Sequence, residues 1–92
     1  MQTGDFVFSR AGRDKGTAYL VVQTKKAAVW VTDGRTHGKE RPKKKNPRHI
    51  QPTSAHLTEA QRERLTGEKG ISNEEIAEIL GKYVQGLQKL RK

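Results

Sequence analysis

Three short apolar segments crowd into the first 32 residues, and the connections between them are too short for a parallel sheet. Residues 5–9 (DFVFS), 18–24 (AYLVVQT) and 27–32 (AAVWVT) have the aromatic and β-branched content of strands. A parallel crossover needs about a dozen residues or more. Here the first connection is RAGRDKG, a turn bracketed by Gly12 and Gly16, and the second is only Lys25-Lys26. The strands are therefore expected to run antiparallel, as a meander that curls into a small barrel. Asp33-Gly34 is a turn pair that closes the third strand.

The next stretch changes character. Residues 35–49 (RTHGKERPKKKNPRH) carry the fixed charges Arg35, Lys39, Arg41, Lys43, Lys44, Lys45 and Arg48, two prolines and almost nothing apolar. A loop or a short edge strand is expected. Ile50 supplies one apolar anchor, and Pro52 is expected to end the segment.

The tail reads as helical. Thr58 can cap a helix over 59–65, with Gln61 at the capping-box position and Gly67 as the stop. Ser72 followed by Glu75 forms a second capping box, and Ile71 and Ile76 occupy the two positions of a hydrophobic staple. Ile76, Ile79, Leu80, Tyr83, Val84, Leu87 and Leu90 then recur at helical spacing through a helix expected over 73–91. Glu74, Glu75 and Glu78 near its start, and Lys89, Arg91 and Lys92 near its end, suit the helix dipole. Gly81 and Gly86 each weaken it by about 1 kcal/mol relative to Ala, so its apolar face needs a surface to dock on. Phe6 and Phe8 alternate with Val7 and so face away from it. If Val7 points inward, the two rings need an outer cover, and this helix is the expected one.

Charge narrows the partner. The 92 residues hold 19 Lys and Arg against 10 acids, a net charge of +9. Residues 1–56 have 12 basic and 4 acidic side chains, whereas residues 57–92 have 7 and 6, so the excess belongs to the strand-rich part. Such an imbalance calls for an anionic partner, most commonly nucleic acid. No helix pairs a basic face with a strongly aromatic one, which argues against a membrane surface. The chain has no Cys, which excludes disulfides, a thiolate nucleophile and a zinc ribbon. The longest apolar runs, Ala18–Val22 and Ala27–Val31, are far too short to span a bilayer. With no signal-peptide pattern at the N-terminus, the expected compartment is the cytoplasm.

The segment GDFVFSRAGRDKGTAYLVV, Gly4 to Val22, resembles a KOW motif, in which a strand, a basic glycine turn ending in Lys-Gly and a second apolar strand follow one another. Val7 matches the first-strand core position, Gly12 the turn, Lys15-Gly16 the central pair and Val21 the second-strand core. Ala18 stands where many KOW sequences carry a second glycine. The continuation AVWVTDGRTHGKERPKKKNPRHIQPT is similar to the third strand, Asp-Gly turn and basic stretch of small KOW-domain RNA-binding proteins, bacterial relatives of KOW-containing large-subunit ribosomal proteins of archaea and eukaryotes. The resemblance covers about residues 4–53. It implies a mainly β fold with C-terminal α structure: an SH3-like antiparallel β-barrel over 1–53, then a helical extension over 54–92 packed on it.

The function this implies is non-catalytic binding of ribosomal RNA by a monomeric, ribosome-associated or ribosomal protein, with ribosomal proteins as neighbours. The competing class is a protein-interaction module of the transcription or translation machinery, since KOW barrels also occur in elongation factors that contact polymerase. The residues expected to meet RNA are Arg10, Arg13, Lys15 and Gly16 at one end of the barrel. The 39–48 run, with Lys39, Arg41, Lys43, Lys44, Lys45 and Arg48, is expected to return to that same end, and Arg35 and His49 are further expected RNA contacts. Gly16 is expected to take a positive φ or to let a phosphate approach the backbone. Trp30 and Tyr19 could stack on bases, but in a core so poor in aromatics they are expected to pack between barrel and helix. His37, His49 and His56 share no ligand spacing, and no nucleophile–base pair is visible. Neither a metal, a cofactor nor an enzymatic activity is expected. GRDKGT lacks the GxxxxGK[ST] spacing of a nucleotide-binding loop.

Overall fold

A computed structural model describes residues 1–68 and 70–90; Arg91 and Lys92, and the side chain of Leu90, lie outside the described residues. The elements are β1 (Asp5–Ser9), β2 (Ala18–Lys25), β3 (Ala28–Thr32), β4 (Lys43–Lys45), a 3-10 turn (Pro47–His49), β5 (Ile50–His56), α1 (Glu59–Thr66) and α2 (Asn73–Leu90). All strand pairs are antiparallel, in the order β4-β3-β2-β1-β5. The expected barrel is, at the level of its ladders, an open sheet. β4 and β5 are its two edges, and among the described residues no ladder joins them.

Alternation along the strands explains how so small a sheet is buried on both faces. Val7, Tyr19, Val21, Val29, Val31 and Ile50 form one buried cluster on the concave side. Phe6 and Leu20 point the other way and cluster with Leu57, Ile71, Ile76 and Leu80 from the tail. Such two-sided burial is why β2 reads AYLVV, an unbroken apolar run, rather than as an alternating one. A register shift between Val21 and Gln23 in the β2–β3 ladder marks a bulge, and beyond it β2 is exposed from Gln23 to Lys25. Bulges of this kind bend and twist a strand.

α2 lies over the second face. The Phe6 and Tyr83 ring centroids are 5.1 Å apart, and those of Phe8 and Tyr83 are 6.0 Å apart. Phe6 is buried, whereas Phe8 remains half-buried at the sheet margin. The helix starts at Ser72, whose Oγ accepts from the Glu75 backbone N–H at 3.1 Å. Ile71 and Ile76 are both buried, as a staple requires. The Glu75 carboxylate does not close a reciprocal box. It takes two guanidinium N–H groups of Arg64, at 2.7 and 2.8 Å, and so ties α1 to α2. At α1 the box is complete, with Thr58 and Gln61 satisfying each other's backbone N–H.

The end of the last strand differs from expectation. Pro52 does not end its segment: β5 runs on to His56, past the barrel limit expected at 53. The reason is position, since β5 is an edge strand, where one row of backbone groups has no ladder to join and proline is tolerated. The 35–49 stretch contains both of the structures considered for it, a loop over 33–42 and then the edge strand β4.

Candidate functional site

The β1–β2 turn and the segment from β4 to the 3-10 turn meet at one end of the sheet. The Arg10 backbone N–H donates to the His49 carbonyl at 2.8 Å. Asn46 caps the 3-10 turn, its side chain accepting from the Arg48 N–H. Between the two segments runs an open cleft lined by Arg13, Asp14, Lys43, Lys44, Asn46 and His49. Gly16 has φ +91° and its N–H donates to the Ser9 carbonyl at 2.9 Å. An L side chain rarely adopts that backbone conformation, so the glycine holds the turn closed beneath Arg13 and Lys15.

Asp14 is the centre of this end, and sequence reasoning missed it. Its carboxylate accepts from Ser9 Oγ at 2.8 Å, Tyr19 Oη at 2.6 Å, Lys43 Nζ at 3.0 Å and Lys45 Nζ at 2.9 Å. Desolvation alone would push this carboxyl up. The hydrogen bonds from Tyr19, Lys45, Ser9 and Lys43 together outweigh it and hold the carboxyl well below the usual carboxylate range. Burial, and then the bond to the Asp14 carboxylate, push the Tyr19 hydroxyl up in turn. Tyr19 is therefore a core residue of the concave face, not a spacer between sheet and helix.

The three consecutive lysines have three fates. β4 pairs Lys43 with Val31, Lys44 with Trp30 and Lys45 with Val29. Val29 and Val31 point into the concave cluster, so Lys43 and Lys45 share that face and Lys44 turns outward. Lys45 is only 8 % exposed, and its ammonium also donates to Ser9 Oγ at 2.9 Å. Its ammonium is turned inward as an ion-pair partner of Asp14. Lys43, partly exposed, is paired to the same carboxylate. Strand alternation across KKK was the signal that could have separated them.

Arg10, Arg13, Lys15, Lys44, Arg48 and His49 are exposed around this end. Arg35 and Lys39 are elsewhere. Arg35 borders a cleft with Ala77, Gly81 and Val84 of α2, and Lys39 borders one with Leu65, Thr66 and Gly70 beside α1. Their loop clasps the start of α2: the Lys39 N–H donates to Asn73 Oδ1 at 2.9 Å, and Asn73 Nδ2 donates to Glu40 at 2.9 Å. Arg41 is exposed in the same loop, its N–H bonded to the Gly38 carbonyl at 3.0 Å. Of the 39–48 run expected at that end, the part from Lys43 onward lies there, whereas Lys39 lies beside α1. The reason is that the Lys39 backbone N–H and the Glu40 carboxylate tie the loop to Asn73 at the start of α2.

No protein-family model matches this sequence, and no curated protein matches it. Among the described residues, no helix is long and apolar enough to cross a membrane.

Proposed function

We propose that the protein is a non-catalytic RNA-binding protein of SH3-like, KOW-type architecture, whose cationic end attaches it to ribosomal RNA. The observation that carries this reading is the division of charge at that end. The Asp14 carboxylate in the cleft is ion-paired to Lys43 and Lys45. The surrounding Arg10, Arg13, Lys15, Lys44 and Arg48 are exposed, and their charge is left for an external anion. Cations held on a short, hydrogen-bonded turn and a capped 3-10 segment suit contacts to phosphates, whose neutralisation releases condensed counterions. Fixing them on a rigid frame lowers the ordering cost of binding. The resemblance of Gly4–Val22 to a KOW motif supports the same reading, with the turn glycine Gly16 at positive φ.

Five phosphate contacts correspond to a log K against log salt slope of about −3.5 to −4.5, since each contributes roughly −0.7 to −0.9. The test is sedimentation of the tagged protein with ribosomes at low and high salt, together with a titration of ribosomal RNA fragments. A slope near zero, or co-purification with polymerase in place of ribosomes, would overturn the reading.

A further inference from the structure

Trp30 is the single tryptophan of the chain, and it belongs to neither hydrophobic cluster. It lies mid-way along β3, between Val29 and Val31, which both turn into the concave core. The indole therefore projects from the opposite face, aligned with Gln23 of β2 and Lys44 of β4. Leu20, on that same face, is buried under α2; Trp30 is half-buried and packs against lysines instead. Lys25 Nζ lies 5.7 Å and Lys44 Nζ 5.8 Å from its ring centroid.

This placement departs from what composition predicts. A chain with so few aromatic residues holds its largest one outside the core, near two ammonium groups. Cation–π contacts orient such a ring. An oriented indole offers a π face to a planar base, and ammonium groups beside it can meet the phosphates on either side of that base. Lys44 also lines the Arg13–His49 cleft, so Trp30 adjoins the cationic end. We infer that Trp30, with Lys25 and Lys44, is a stacking subsite for one unpaired base of single-stranded RNA. A duplex keeps its base faces covered, so this subsite selects a loop, bulge or strand end. The inference rests on the RNA-binding reading and adds to it which structural form of RNA is taken.

Trp30 emission reports on the site directly. The full-length protein is titrated with three labelled RNAs: a U-rich single-stranded decamer, the same decamer with central abasic residues, and a hairpin duplex. Anisotropy of the label and emission of Trp30 are read together. The decamer is expected to bind and to quench Trp30, whereas the abasic strand binds more weakly without the quench. Trp30→Ala should weaken decamer binding roughly 5- to 150-fold, the range of one base–aromatic stack, and duplex binding less than about twofold. Trp30→Phe should retain part of the affinity, and serves if the alanine variant does not fold. Binding of the decamer with unchanged Trp30 emission, or equal affinity for the abasic strand, would overturn the stacking subsite and leave the RNA-binding reading standing. Absence of binding to all three RNAs would overturn both.

Discussion

The two basic regions of this protein, the end built from residues 10–16 with 43–49 and the loop over 33–41, look alike in composition and differ in what their charges meet. At the first, a half-buried carboxylate takes up Lys43 and Lys45 and leaves the charges around it exposed. At the second, backbone groups and Asn73 bind the loop to the start of α2, and Arg35 and Lys39 lie along helix surfaces. Net charge per segment thus says how much cation is present, not which cations are free. What decides that is the strand face on which each side chain falls and the acid it finds there.

Removing α2 would break the contrast most sharply. Truncation before residue 70 uncovers Phe6, Leu20 and Leu57. At roughly 1.5–3 kcal/mol for each large apolar side chain, a loss of about 5 kcal/mol or more is expected. That is a large share of the stability of so small a domain. Chemical denaturation should show it, and a hydrophobic dye should report the uncovered face. If the truncated chain folds, amide shifts should change through 33–41 and little through 10–16.

Asp14→Asn tests the other region. It leaves the buried Lys45 ammonium without its counter-charge, a change that typically costs about 3–5 kcal/mol. Because the Asp14 carboxyl is held below its ordinary range when folded, its contribution is present above its unfolded pKa of about 4. It is lost as the pH falls from there through the folded value. Wild-type stability should therefore decline below about pH 4, and the asparagine variant should show less of that decline. Equal acid sensitivity in the two proteins would show that Asp14 does not anchor this end.

Two glycines sharpen the comparison at smaller scale. Gly34 and Gly16 both have positive φ, +75° and +91°. A Cβ at Gly34 would lie 2.3 Å from the Asn73 carbonyl oxygen, whereas one at Gly16 would meet nothing within 4 Å. Gly16→Ala is expected to cost about 1–3 kcal/mol from backbone strain alone. Gly34→Ala should cost more, because α2 must also shift. A lower melting temperature for the Gly16 variant than for the Gly34 variant would reverse the assignment of the tighter contact.

The smallest effect on stability and the clearest on binding come from the surface cations. Arg13→Ala, Lys44→Ala and Arg48→Ala should each change stability by no more than about 0.5 kcal/mol. Combined, they should flatten the salt slope of RNA binding by roughly 2 to 3. The pair Lys39→Ala and Arg41→Ala should leave that slope unchanged. A salt titration that moved equally for both sets would place the interface across the 33–41 loop as well.

Much of this was legible from local rules. The first three strands follow from β-branched runs and short turns, and both helix starts from their caps, because these signals need only residues close in sequence. The glycine conformation at Gly16 was readable for the same reason. The fates of Lys43, Lys44 and Lys45 were only half legible. Alternation separates Lys44 from its neighbours once β4 is a strand, but nothing local says that Asp14, 29 and 31 residues away, waits on the inner face. Pro52 misled because its effect depends on whether its strand is central or at an edge.

The order of letters by itself determined an antiparallel, strand-then-helix chain with its positive charge concentrated in the first 56 residues. Hydrogen-bonded turns, caps and side-chain period are properties of neighbours along the chain, so they survive without knowledge of the rest. Tertiary structure decided which ionic groups are consumed internally and which aromatic is left out of the core. Those outcomes depend on pairings between β4, the 10–16 turn and β3, brought together only when the sheet has formed. Coulombic attraction, desolvation and packing act through space, and the sequence records them only as compatible residues far apart.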